Sequence, residues 1–280
     1  MTAHPRLSLN QATVKHADLR TTLGVCRDSG IPAVGLWRES VHDTGRAEAV
    51  RLLAGSGLRL SSLCRGGFFT AAEGRARRAA LDDNRRAIEE TAELAAGAAP
   101  GSAAVLVLVP GGLPDRDLPQ ARLRVVDAIA ELAEEAGACG VTLALEPMHP
   151  LYAADRGVVS TLGQALDIAE QFAGVGVVVD TFHVWWDPEL NAQINRAGRS
   201  GRLVSFQVND WITPLPADAL LARGMMGEGH IDLPAVAAMV QEAGYRGDIE
   251  VEIFNQEVWD SEPGAVAGAV VEAFAKHVLS

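Results

Sequence analysis

The stretch Val177-Val178-Val179-Asp180-Thr181-Phe182-His183 decides the fold of this chain. Its uncharged run of β-branched residues is typical of a parallel strand that is buried on both faces. The run ends in Asp180, and a carboxylate at the end of a buried strand is costly unless a partner such as a metal ion compensates its charge. The stretch therefore predicts a strand that carries a ligand to a functional site.

Three other strand-like runs also end in an oxygen donor, at Glu146, Gln207 and Glu252. Any one of these residues could be an ordinary polar strand end that is solvated or salt-bridged. Four oxygen donors at the ends of successive strands instead predict a site for one divalent metal ion. The oxygen chemistry favours Mn²⁺ or Mg²⁺, with Mn²⁺ expected first and Co²⁺ or Zn²⁺ as alternatives.

The whole chain reads as eight strand–helix pairs without a linker or a low-complexity segment. Strands that alternate with helices predict a parallel sheet of the α/β class. Eight pairs in 280 residues predict a closed (β/α)8 TIM barrel, with residues 1–280 as a single domain. No GxGxxG or P-loop motif supports an open sheet. In such a barrel the active site lies where the strands end, so the four donors should meet at one mouth.

Composition excludes several classes of function. The net charge of −12 disfavours binding to nucleic acid or to an anionic membrane. No apolar run is long enough to span a bilayer, and the N-terminus lacks the apolar core of a signal peptide. The cysteines, three in number, show no paired spacing and are interpreted as reduced thiols of a cytoplasmic protein. The 48% hydrophobic content predicts an oligomer of undefined size.

Histidines provide candidates for proton transfer. His183 follows Asp180 by three residues and could be a metal ligand, a substrate hydrogen-bond donor or a general base. His149 follows the strand that ends in Glu146, and it is a second candidate for catalysis. His230 lies in a glycine-rich part of the long loop from 210 to 231, which could fold over the site. The simpler interpretation of His183 and His149 is a surface histidine in a loop, and that of His230 is a residue that merely precedes a helix cap.

Aromatic and basic residues near the strand ends suggest substrate contacts. Trp185, Trp186 and Trp211 could form an aromatic wall of the site, or a collar that buries loops or a subunit contact. Arg38 and Arg65 follow the second and third strands, and they could bind a carboxylate, a phosphate or hydroxyl groups. They could equally pair with neighbouring carboxylates.

With these motifs in place, the chain resembles the xylose isomerase-like TIM barrels, the sugar phosphate isomerase/epimerase superfamily. The segments that carry the resemblance are Leu145–Pro147, Asp180–His183, Gly227–Asp232 and Val251–Ile253. The resemblance implies that Glu146 and Glu252 bind a divalent metal ion and also transfer protons, and that His183 contacts the substrate. The family usually has histidine where this chain has Gln207, and this departure favours harder metals over zinc.

The resemblance leaves several reactions open. A zinc-dependent, DNA-cleaving role is rejected, because the chain has Cys64-Arg65 and Pro110-Gly111 where the endonuclease IV branch needs histidines. The α subunits of C-glycoside deglycosidases also resemble this chain. That branch implies a metal-dependent lyase that eliminates an aglycone from a 3-oxo-sugar, with a small β-sandwich partner subunit. The alternatives are a ketose or inosose epimerase or isomerase, a dehydratase of a cyclic hydroxyketone, and a non-catalytic sugar-binding barrel.

Overall fold

A computed structural model of the chain describes residues 2–279. Eight parallel strands close into a barrel in the order β1-β2-β3-β4-β5-β6-β7-β10. The barrel strands are β1 (Leu7–Asn10), β2 (Ala33–Trp37), β3 (Arg59–Gly67), β4 (Val105–Val109), β5 (Thr142–Leu145), β6 (Val175–Asp180), β7 (Leu203–Val208) and β10 (Ile249–Val251). The predicted (β/α)8 fold class is confirmed.

Helices surround the barrel and follow its strands. They are α1 (Leu19–Asp28), α2 (Arg38–Thr44), α3 (Arg46–Ser56), α4 (Arg75–Gly97), α5 (Leu118–Ala138), α6 (Leu162–Ala169), α7 (Thr181–Val184), α8 (Leu190–Arg199), α9 (Leu233–Glu242), α10 (Gln256–Trp259) and α11 (Pro263–His277). Short 3-10 helices span Gln11–Val14, Pro150–Tyr152 and Ala219–Ala222. Within the part of the chain that is described, no helix is long and apolar enough to cross a membrane.

Local sequence signals explain where several helices begin. Asp18 caps α1 by accepting a hydrogen bond from the backbone N–H of Thr21, and Asp232 caps α9 in the same way through Ala235. These side chains satisfy backbone donors that have no partner within the helix. The apolar faces of the helices then pack on the outward side chains of the strands and form one large core.

The interior of the barrel is divided into an apolar half and a polar half. Val105, Val107, Ala144 and Val178 pack together on β4, β5 and β6. The buried polar side chains of the other half come from β1, β3, β7 and β10: Ser8, Asn10, Ser62, Gln207 and Glu250. Gln207 of this polar half lies in register with Asp180, the last residue of β6.

Two parts of the chain depart from a simple alternation of strand and helix. Helix α2 begins at Arg38, directly after β2, so two helices, α2 and α3, follow that strand. The long loop from 210 to 231 contains two short antiparallel strands, β8 (Asp210–Trp211) and β9 (Arg223–Gly224). Both differences change which side chains reach the mouth of the barrel.

Candidate active site

The carboxylates predicted from the strand ends lie together at one mouth. Glu146 follows β5, Asp180 ends β6 and Glu252 follows β10, and each is at most 5% exposed. One oxygen each of Glu146 and Asp180 and one ring nitrogen of His183 lie within 4.8 Å of one another. The structure therefore brings two of the four predicted oxygen donors together with the histidine of the Asp180–His183 segment, and places Glu252 in a neighbouring group with Cys64 and Glu250.

An arginine that was not singled out from the sequence stands among these carboxylates. Arg223 on β9 is 2% exposed, and its Nη1 donates to Asp180 Oδ2 (2.9 Å) and to Glu252 Oε2 (2.7 Å). The side chain of Asp210 holds the loop in place, because it accepts hydrogen bonds from the backbone N–H groups of Gly227, Gly229 and Ile231. No local pattern marks Arg223, since the fold of the loop places it at the mouth.

The charges of the site do not balance. Glu146, Asp180 and Glu252 would carry three negative charges, and Arg223 supplies one positive charge. Burial is the main cause that raises the pKa of Glu252 to about 8, and it raises the pKa of Glu146 well above its usual value. Neighbouring carboxylates act in the same direction. When all three carboxylates are ionised, their negative charge exceeds the positive charge of Arg223 and the nearby Glu250 adds to it, so a divalent cation would offset the excess.

Two buried amide oxygens support the same interpretation. Within residues 2–279, Oε1 of Gln207 and Oδ1 of Asn209 have no hydrogen-bond partner. Both residues are fully buried on or directly after β7, next to Asp180. Buried polar atoms without a partner are rare and call for an explanation such as an ion. The donor set of carboxylate and amide oxygens therefore fits a hard divalent cation.

The hydrogen bonds of His183 determine its tautomer. The backbone N–H of His149 donates to His183 Nδ1 (3.1 Å), so Nδ1 must be unprotonated and the proton lies on Nε2. Burial is the main cause that lowers the pKa of His183 well below its usual value, and nearby Arg223 adds to the effect. A neutral imidazole with Nε2–H is a hydrogen-bond donor and not a metal ligand through that atom.

Two donors therefore converge at the bottom of the mouth. Arg223 Nη2 lies 3.1 Å from His183 Nε2, and both nitrogens carry hydrogen. They cannot satisfy each other, but one oxygen placed beside both would accept a hydrogen bond from each.

These groups open into a large cavity of about 1120 Å³. Glu146, His183, Arg223 and Glu252 line it, as does the buried thiol of Cys64, whereas Asp180 and Gln207 do not. The apolar part of its wall includes Trp37, Phe68, Phe254, Val107, Val109 and Met148. Of the two arginines predicted to bind substrate, Arg65 lines the cavity, with its guanidinium 4.3 Å from the ring centroid of Phe68.

Arg38 does not reach the cavity. Because α2 begins at this residue, its guanidinium turns toward α4, where it donates to Glu90 (2.6 Å) and to Asp83 (2.8 Å). Arg38 is 6% exposed and Glu90 5%. The prediction of a substrate contact is not supported by this placement; the residue joins two helices instead.

His149 and the predicted tryptophans form a separate aromatic cluster. The His149 ring lies 4.9 Å from Trp211 and 5.7 Å from Trp186, and Trp185 lies 5.7 Å from Trp211. None of these four side chains lines the cavity among the described residues. Burial lowers the pKa of His149 to about 4, which makes it a weak base. The cluster therefore corresponds to the collar that packs loops, which was the alternative to an aromatic wall.

His230 departs from its predicted position, whereas Gln207 lies beside Asp180 as expected but has its amide nitrogen bound to Glu250. His230 is exposed, and its Nε2 lies 3.0 Å from Thr213 Oγ1, outside the cavity lining. Gln207 lies in register with Asp180 on β6, and its amide nitrogen donates to Glu250 (3.0 Å) on β10. The amide oxygen of Gln207, which has no partner among residues 2–279, is thus the atom that remains available to a group at the mouth.

Comparison with known proteins identifies the family to which the chain belongs. A family model for xylose isomerase-like TIM barrels matches residues 23–277. The solved structure of protein SMc04130 from Sinorhizobium meliloti 1021 is 44% identical, with a TM-score of 0.93, and the match covers 98% of this chain and 99% of that one. Inosose isomerase from Halalkalibacterium halodurans is 30% identical over 161 residues, which cover 54% of this chain and 55% of the relative.

A second relative is more distant. L-ribulose 3-epimerase from Mesorhizobium japonicum is 27% identical over 140 residues, which cover 49% of this chain and 42% of the relative. The chain thus aligns with about half the length of the curated relatives that it matches.

Proposed function

Because the chain belongs to the family of xylose isomerase-like TIM barrels, we propose that it is a sugar isomerase or epimerase that depends on a divalent metal ion. The substrate class is a ketose or a cyclic polyhydroxyketone. The observation that carries the proposal is the cluster of three buried carboxylates, Glu146, Asp180 and Glu252, with Arg223 as the cation in contact with two of them, beside a cavity that Glu146 and Glu252 line. The names of the two curated relatives, an isomerase and an epimerase, support it.

Glu146, Asp180 and Glu252 would hold the metal ion, with the amide oxygen of Gln207 as a fourth donor. When bound, the ion would polarise the ketone and stabilise the negative charge that develops on its oxygen. Mn²⁺ and Mg²⁺ suit these donors best.

The side chains of the protein supply the remaining steps. His183 Nε2–H and Arg223 Nη2–H converge on one point and would bind a single substrate oxygen, which fixes the carbon that reacts. Glu146 and Glu252 directly follow strands β5 and β10, which are separated in the barrel by β6 and β7. One carboxylate would take the proton next to the ketone, and the other would return a proton from the opposite side. A pKa of about 8 for Glu252 in the metal-free protein lies close to the range that suits a general acid or base.

A test is solvent deuterium exchange. The metal-loaded protein is incubated in D₂O with an inosose, a ketohexose or a 3-oxo-glucoside, and mass spectrometry follows label at the carbon next to the carbonyl. We expect label in at least one of these substrates and no label after chelation of the metal. Absence of exchange from all three, with the metal shown to be bound, would refute catalysis and favour a sugar-binding barrel.

A second candidate, elimination of an aglycone from a 3-oxo-C-glycoside, is favoured by one observation. The cavity of about 1120 Å³ exceeds the upper end, about 1,000 Å³, of the range usual for ligand pockets, and Trp37, Phe68 and Phe254 line its wall. An aromatic aglycone would fit such a wall. Release of the free aglycone from a 3-oxo-C-glycoside distinguishes this lyase from the isomerase. Co-purification of a small companion chain would support the partner subunit that the lyase requires.

A further inference from the structure

Glu250 is a buried carboxylate for which the proposed reaction gives no role. It is 2% exposed, lies on β10 two residues before Glu252, and does not line the cavity. Its side chain is held by donors from three other strands: Asn10 (2.6 Å), Ser62 (2.9 and 3.1 Å), Ser61 and Gln207 (3.0 Å). A buried carboxylate with this many partners is a rigid acceptor.

Gly35 makes room for this arrangement. A Cβ atom at position 35 would lie 2.5 Å from the carboxylate carbon of Glu250 and 2.6 Å from each of its oxygens. Any larger residue on this part of β2 would displace Glu250, so the interior of the barrel is shaped around the carboxylate.

The carboxylate determines which way the amide of Gln207 points. Oε1 of Glu250 accepts hydrogen bonds from Asn10 and Ser62 as well, so the amide of Gln207 presents its nitrogen to this oxygen. The opposite orientation would place two oxygens against each other. Gln207 Oε1 is therefore directed away from Glu250, and it is the buried oxygen that has no partner among residues 2–279. In the register of the barrel, the neighbour of Gln207 on its other side is Asp180.

We propose that Glu250 is a positioning residue that locks the amide of Gln207, so that β7 presents an oxygen ligand to the cation held by Asp180. The inference rests on the proposed function, because it assumes that the site binds a divalent metal ion. It assigns to Glu250 an effect on metal affinity although the residue does not touch the cavity. Outer partners of this kind commonly change metal affinity by about 10–100-fold.

The experiment is a double-mutant cycle on the affinity for Mn²⁺, measured by calorimetry on the full chain. The variants are Glu250→Gln, Gln207→Leu and the double variant, with Ser61→Ala as a control that removes another donor to Glu250 but keeps the Gln207 contact. We expect Glu250→Gln to weaken Mn²⁺ binding by about tenfold, because a glutamine at position 250 can turn its own amide nitrogen toward Gln207 and release the lock. Ser61→Ala should stay within about twofold of the original chain.

The double variant separates orientation from charge. If Glu250 acts through Gln207, Glu250→Gln will change the affinity by less than about twofold in the Gln207→Leu background. An equal loss in both backgrounds would show that Glu250 acts only by its charge, and it would overturn the proposal.

If Glu250→Gln does not fold, the Mn²⁺ affinity of the single variant Gln207→Leu still tests the proposal. Unchanged Mn²⁺ affinity in Gln207→Leu would show that Gln207 is not a ligand, and it would likewise overturn the inference. Absence of Mn²⁺ and Mg²⁺ binding by the unaltered chain would instead refute the metal-dependent function itself.

Discussion

Replacing Glu252 with glutamine should abolish deuterium exchange and also change how the stability of the metal-free protein depends on pH. The substitution keeps the size of the side chain and leaves an oxygen that can accept from Arg223. It removes a carboxylate that the proposed reaction needs, and it removes a group whose pKa in the fold is about 8.

The sign of the pH effect follows from the proton balance. In the fold Glu252 keeps its proton up to about pH 8, whereas in the unfolded chain it releases the proton near its usual value of 4.5. Between these limits the unfolded state binds fewer protons, so the free energy of unfolding falls as pH rises. The contribution is complete below pH 4.5 and is lost as pH rises through 8. For an isolated group, the difference between the two pKa values corresponds to roughly 5 kcal/mol.

The assay is thermal or urea unfolding with a chelator present, from pH 5 to pH 9. We expect the free energy of unfolding of the original chain to fall over this range, and that of Glu252→Gln to fall less. At pH 9 the difference between the two falls should reach up to a few kcal/mol. Glu146 retains its own contribution in both proteins, so the slope should not vanish. An identical slope in the two proteins would refute the buried, protonated state of Glu252, and exchange activity in the variant would refute its catalytic role.

Three further predictions concern residues around the site. Arg38→Ala should lower the free energy of unfolding by up to about 3–5 kcal/mol, because it removes the guanidinium from the buried Glu90 and leaves that carboxylate only His42 as a partner. The activity per folded molecule should be unchanged; urea unfolding and exchange rates measure both. Asp210→Asn should accelerate amide hydrogen exchange in residues 210–231 and reduce turnover, because the carboxylate anchors that loop. Unchanged protection of these amides from exchange would contradict this anchoring. His149→Gln should leave the pH profile of turnover unaltered, because the imidazole lies outside the cavity lining and its pKa is lowered to about 4; a shifted profile would restore His149 as a proton-transfer group.

Much of the fold could be predicted from the sequence for a clear physical reason. The alternation of buried strands with helices predicts a parallel sheet that helices cover, and eight such pairs in 280 residues predict that the sheet closes into a barrel. In that fold all strands end at one mouth, so Glu146, Asp180 and Glu252 could be placed together from their positions alone. His183 could be placed there too, because it lies within one turn of Asp180.

The tertiary structure decided what local patterns could not encode. Arg223 comes from the middle of a loop, and only the anchoring of that loop by Asp210 carries its guanidinium to the carboxylates. Arg38 was predicted at the mouth, but the start of α2 turns it toward Glu90.

The surroundings of Glu250 show the same limit inside the barrel. The sequence shows a carboxylate in the middle of a strand, but not that donors from three other strands and the space left by Gly35 surround it. Positions along the chain determined which strands carry oxygen donors. The closure of the barrel decided which of those donors face one another, because contacts across it join residues as far apart as Asn10 and Glu250, and no local rule of sequence relates them.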